Sequence, residues 1–193
     1  KQCYRSIRSC GNLGELMRKF IFYLFGIFAL IQTNVIACNY IISSFGSSKE
    51  QLETNIGNKF PVNFIKNQFG GEVYFLPIEM LCGENKTLNG SMVHYLFLDN
   101  KLIEVKIEKF DFKNKANLMD YAINKFGDFD RPISLKEKFR GSNFWNIGNR
   151  EIEYVSTDIE GGHVELIAII SKLYSFEINQ YYDQVGKWLD SEN

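Results

Sequence analysis

Met92-Val93-His94-Tyr95-Leu96-Phe97-Leu98, then Asp99-Asn100-Lys101, then Leu102-Ile103-Glu104-Val105-Lys106-Ile107-Glu108-Lys109-Phe110 is the stretch that decides the fold. In its second half Ile103, Val105 and Ile107 alternate with Glu104, Lys106 and Glu108. A period of two puts one row of side chains in a core and the other in water. Asp and Asn tolerate the positive φ that a tight turn demands. The stretch is predicted to be a β-hairpin.

Other elements are placed around this hairpin. Upstream, Glu72 to Cys82 reads as a strand whose Pro77 suggests an edge or a bulge. Before it, Ser47 and Glu50 stand in capping-box spacing, and Leu52, Ile56 and Phe60 form an apolar stripe that Pro61 stops. Downstream, Leu118, Met119, Ala122, Ile123 and Phe126 line one helical face, with Gly127 where a C′ glycine belongs. Asp128 to Asn143 is polar and reads as loop. Strands are predicted at Glu151–Thr157 and His163–Ser171. The chain then turns helical, with Leu173, Tyr174, Ile178, Tyr181, Tyr182, Val185, Trp188 and Leu189 on one broad apolar face. The pattern predicts one α+β domain over residues 38–193, an antiparallel sheet of four to five strands with helices packed on one face and a C-terminal helix.

The 193 residues are 45% hydrophobic and 23% charged, with three prolines. That balance excludes a disordered tail and a polytopic membrane protein. With 22 basic residues against 23 acidic ones it also excludes nucleic-acid binding through net charge.

Ahead of the domain, Met17-Arg18-Lys19 precedes an unbroken apolar run from Phe20 to Ile31, and Val35-Ile36-Ala37-Cys38 follows. Twelve apolar residues are too few to span a bilayer core, which needs about 20. A basic start, an apolar centre and small residues at the exit are the parts of a secretory signal peptide. Residues 17–37 are therefore expected to be a signal peptide, preceded by an upstream extension over residues 1–16 that does not belong to the mature protein. Residues 1–37 carry five basic groups and one acid, so the remainder holds 17 basic and 22 acidic residues, a net charge of −5.

Val35-Ile36-Ala37-Cys38 resembles the lipobox of bacterial lipoproteins. The resemblance implies that Cys38 becomes a lipid-bearing N-terminus, with membrane contact through that anchor. The other reading is ordinary cleavage after Ala37, which leaves Cys38 and Cys82 as the two cysteines of the exported chain. In an oxidising compartment such a pair forms a disulfide.

From Tyr95 through Phe97-Leu98-Asp99-Asn100-Lys101-Leu102 to Val105, on through Leu118 to Phe126-Gly127, Trp145 and Ile152-Glu153-Tyr154, the order resembles small exported bacterial proteins of unknown function. The opening Phe45-Gly46-Ser47-Ser48-Lys49-Glu50-Gln51-Leu52 belongs to the same likeness. The plan is similar to the small lipoprotein of the outer-membrane barrel-assembly complex and to β-lactamase-inhibitor-like domains. The resemblance covers residues 45 to 171 and rests on packing motifs. It implies an α+β domain in the periplasm or at the outer membrane, and transfers no catalytic residue.

Sites for chemistry are sparse. His94 and His163 could meet across a sheet and, with Asp99 or Glu165, hold zinc, but no ligand spacing supports it. Cys82 has Glu79 and Glu84 for neighbours, which oppose a reactive thiolate. Asp128 and Asp130 lack any calcium-loop pattern, and neither Gly70-Gly71 nor Gly161-Gly162 opens a phosphate-cradling helix. No metal, cofactor or catalytic residue is assigned. One surface candidate remains, the aromatic pair Phe144 and Trp145 within Gly141–Asn149, suited on a loop to a protein partner; the other reading has Trp145 start a strand and cover the sheet. The expected function is a non-enzymatic exported cell-envelope protein that binds a protein partner, lipidated on Cys38. The alternative is a soluble periplasmic or secreted inhibitor-like protein with a Cys38–Cys82 bond.

Overall fold

The computed structural model describes residues 40–57, 64–82, 87–111, 117–130, 133 and 135–192. The chain divides into two units, Lys1–Ala37 and Cys38–Asn193, and every described residue belongs to the second. The upstream extension, the signal-peptide segment, Cys38 and the Phe60-Pro61 stop lie outside the described residues. Among the described residues no helix is long and apolar enough to cross a membrane.

In chain order the elements are α1 Lys49–Ile56, β1 Ile65–Lys66, β2 Glu72–Pro77, α2 Glu79–Cys82, β3 Ser91–Leu98, β4 Lys101–Asp111, α3 Asn117–Phe126, β5 Gly141–Ile147, β6 Arg150–Ile159, β7 Gly162–Ser171 and α4 Ser175–Glu192. All seven strands join one antiparallel sheet in the order β1-β2-β3-β4-β7-β6-β5. The α+β expectation holds, with a larger sheet than the four to five strands expected. The additions are β1, too short to show a period, and β5, whose polar start reads as loop up to Asn143.

The β3–β4 hairpin turns on two residues, not three. Asp99 and Asn100 take φ of 48° and 60°, and Lys101 already pairs with Leu98. Positive φ at both positions matches the twist of the flanking strands. A register shift between Leu96 and Phe97 inserts Ile103 as an extra residue. This bulge separates Ile103 from Val105 and Ile107, which the sequence placed in one row. Ile103 packs with Leu96 and Ile178, while Val105 and Ile107 join the main core.

Helices cover both faces of the sheet, where one was expected. The first face carries Tyr74, Val93, Tyr95, Phe97, Val105, Ile107, Tyr154, Ile167 and Ile169. Leu52 and Ile56 of α1 and Leu118, Met119 and Ala122 of α3 pack onto it. The second face carries Leu96 and Ile103, with Ile178 and Tyr181 of α4 on top. The supposedly wet row of β4 lies on this face, so Glu104 is buried.

Local boundaries follow ordinary capping chemistry. The N-cap of α1 is Ser48, with Gln51 closing the box, one position beyond the predicted Ser47 and Glu50. The predicted strand Glu72–Cys82 stops at Pro77, which lacks the N–H to continue a ladder, and Glu79–Cys82 forms a single helical turn. Gly127 closes α3 as expected, its N–H donating to the Ile123 carbonyl. Asn67 ties the β1–β2 turn to α4: its Oδ1 accepts from Phe69 and Gly71, and its Nδ2 donates to Tyr181 Oη at 2.6 Å. A Cβ at Gly71 would lie 2.7 Å from the Tyr181 ring, so only glycine lets α4 sit this close.

Candidate functional site

The densest polar cluster lies on the first face, where β6 and β7 alternate polar residues at one end. Ser156 pairs with Glu165, and Asp158 with His163. Glu165 is 0% exposed and accepts from the backbone N–H of Leu118 at 3.2 Å, of Met119 at 2.9 Å and from Tyr154 Oη at 2.8 Å. A strand carboxylate thus supplies the cap for α3, whose first amides have no partner within the helix. Burial, then the charge of Glu165, pushes the Tyr154 hydroxyl far up from its ordinary pKa.

Beside it, Ser156 Oγ stands 3.1 Å from His163 Nε2, and His163 Nδ1 stands 3.2 Å from Asp158 Oδ1. Arg140 Nη2 reaches the same Asp158 oxygen at 2.7 Å and is the chief cause holding that carboxyl below its usual range. The order Ser, His, Asp is that of a nucleophilic relay. Two observations deny it that chemistry. Ser156 is 2% exposed, and its hydroxyl donates to the Phe139 carbonyl at 2.8 Å. With that proton committed, Ser156 Oγ is left to accept from His163 Nε2, while Nδ1 faces the Asp158 carboxylate. The arrangement fastens the connector at Phe139 and Arg140 to β6 and β7. It activates no oxygen that a substrate could reach.

A second cluster lies on the opposite face. Tyr182 of α4 donates to Glu104 Oε2 at 2.7 Å, and Lys106 Nζ donates to Tyr182 Oη at 2.9 Å. Lys106 also lies 3.5 Å from Glu104. Burial first, and then Glu104, raises the Glu153 carboxyl above its ordinary pKa. His94 is on this face beside Glu108 at 3.4 Å, and burial lowers its pKa despite that neighbour. His94 and His163 are therefore on opposite faces and cannot share a metal. Among the described residues no group of three or more His, Cys, Asp or Glu side chains could hold one.

The remaining candidates separate cleanly. Trp145 is 9% exposed, packs on Phe126 and Phe129, and donates from Nε1 to the Gly127 carbonyl at 3.2 Å. Phe144, one residue away on β5, is 56% exposed. Alternation along a strand explains the split, since neighbours point to opposite faces; of the two readings of this stretch, an aromatic loop or a strand whose Trp145 covers the sheet, the second holds for Trp145. Asp128 and Asp130 are exposed in the segment after α3. Cys82 is disulfide-bonded, its partner outside the described residues. An open depression of about 470 Å³ is lined by Ser44, Gly46, Ser47, Gln51, Thr54 and Asn55, none of which titrates. The polar chain from Glu165 to Arg140 was invisible in the sequence, because its members are spread over Leu118 to Glu165 and meet only through strand register.

No family model, curated protein or solved structure matches the chain.

Proposed function

We propose that the protein is an exported, non-enzymatic binding protein, stapled by a Cys38–Cys82 disulfide and using the exposed β5 edge around Phe144 to meet a protein partner. The observation that carries this reading is the disulfide at Cys82. Cytosolic thiols are kept reduced, so a bonded cysteine goes with an oxidising compartment, in keeping with the leader-like Met17–Ala37. Of the other cysteines, Cys3 and Cys10 precede the expected cleavage, which leaves Cys38. A Cys38 held in a disulfide has no thiol to carry a lipid, so a soluble periplasmic or secreted form is favoured over the lipid-anchored one. Closing the loop between the two cysteines removes chain entropy worth about 4 kcal/mol. The non-enzymatic part is supported by the buried, committed hydroxyl of Ser156.

Intact mass of the protein purified from its own compartment tests the reading. Reduction should add the mass of two hydrogens, and peptide mapping without reductant should recover Cys38 joined to Cys82. A diacylglyceryl-and-acyl mass on Cys38, or a free Cys82, overturns it. Phe144→Ala is the variant for partner capture, since Trp145 is core and its loss would disturb the fold.

A further inference from the structure

The two edges of the sheet differ in kind. At one, β1 contributes only Ile65 and Lys66, a strand too short to template another. At the other, β5 runs seven residues, Gly141-Ser142-Asn143-Phe144-Trp145-Asn146-Ile147, all paired with β6 on one side. On its other side no strand pairs with it among the described residues. Every second residue of an edge strand turns its N–H and C=O outward. Natural edges of this length are blunted by lysine, proline or an inward charge, and Gly141–Ile147 contains none of these.

We propose that β5 pairs antiparallel with β5 of a second copy about a two-fold axis through Phe144, giving one continuous sheet across the dimer. This names the partner of the β5 surface and so rests on the reading of that edge as a binding surface. Full overlap of 141–147 with itself sets Phe144 opposite Phe144, Ser142 opposite Asn146, Asn143 opposite Trp145 and Gly141 opposite Ile147. No charge meets a like charge in that register, so the strand is electrostatically compatible with itself. Phe144 is 56% exposed and Ile147 45% exposed, which leaves apolar surface for the pairing to bury. Each Phe ring meets its mate on the face that carries α4, and the Ser142 hydroxyl lies within cross-strand reach of an Asn146 amide. Glu153 and Glu151 flank Phe144 and Asn146 on β6, on the same face. They weigh against an acidic peptide as occupant, whereas a second copy sets its own carboxylates a further strand away. One strand pair buries less than the ~1,200–2,000 Å² of a stable interface, so the dimer should be weak and reversible.

Sedimentation equilibrium of the oxidised protein, expressed from its full chain, tests this between about 1 μM and 1 mM, the range suited to weak association. The wild type should rise from one to two copies per particle. Phe144→Lys and Phe144→Glu should each stay monomeric, with circular dichroism unchanged because the side chain is exposed. An equimolar mixture of the two variants should regain the dimer, since a two-fold axis at 144 places Lys against Glu. A monomeric wild type overturns the pairing. If its envelope partner is nevertheless lost in Phe144→Lys, the broader binding reading survives without it. Dimers that persist in both variants, or a mixture that stays monomeric beside a dimeric wild type, overturn the pairing at Phe144.

Discussion

On the face under α1 and α3, Tyr95, Tyr154 and Phe97 are fully buried, and even the carboxylate of Glu165 has three donors. On the face under α4, cover is partial. Ile178 and Tyr181 are buried, yet Phe75, Phe110 and Phe144 remain exposed further along the same face, and Leu173 and Phe176 stand in solvent at the start of the helix region. Polar groups follow the same division. The first face encloses the carboxylate of Glu165 and satisfies it with two backbone amides and the Tyr154 hydroxyl. The second buries Glu104 under α4 and ties it there to side chains alone, the Tyr182 hydroxyl and Lys106. The contrast separates a face that holds the fold from a face with surface left for contact.

The largest effect should come from Glu165→Leu. It strands two helix N–H groups and the Tyr154 hydroxyl in the core, a loss of about 4 kcal/mol at 1–3 kcal/mol per orphaned group after partial relaxation. Urea unfolding should show a lower midpoint with unchanged slope, and Glu165→Gln, which keeps one acceptor oxygen, should lose less. An Ile178→Ala variant probes the other face and should cost about 2–3 kcal/mol. Its signature should be local. Amide exchange should quicken throughout α4 while the β3–β4 hairpin stays protected. Equal deprotection of both would show the two faces to be one cooperative unit.

The smallest effect sharpens the electrostatic side of the comparison. The fold raises the Glu153 carboxyl above its ordinary pKa of 4.5. A raised acid favours the folded state while protonated, so this stabilisation is present below the ordinary value and is lost as pH rises through the raised one. Glu153→Gln should therefore raise stability modestly near pH 7, where the charged carboxylate is disfavoured, and leave it unchanged near pH 3. Thermal melts at the two pH values would measure the difference, and a loss of stability at pH 7 would contradict the assigned sign.

How much of this was legible depended on how local the cause was. The hairpin, α3 and its Gly127 cap, and the β6–β7 pair are written in neighbouring residues, by alternation, helical spacing and turn chemistry. The bulge at Ile103 is not, because an extra residue in a strand leaves no mark on composition. Glu104 read as solvent-facing by alternation and is buried because α4, more than seventy residues later, lies over it. Trp145 could be read as starting a strand that covers the sheet, but its separation from Phe144 needs the strand's true start, which the polar Gly141-Ser142-Asn143 does not mark. The polar chain around Glu165 needed the register of β6 against β7, which a one-dimensional pattern does not contain.

The sheet order has a consequence for the sequence in which the strands can be completed. The first four strands run as consecutive antiparallel neighbours, but the inner flank of β4 is completed only by β7, which follows β5 and β6 in the chain. In a chain that folds from its N-terminus, the eleven residues of Lys101–Asp111 have one side of their ladder bare until Gly162–Ser171 is in place.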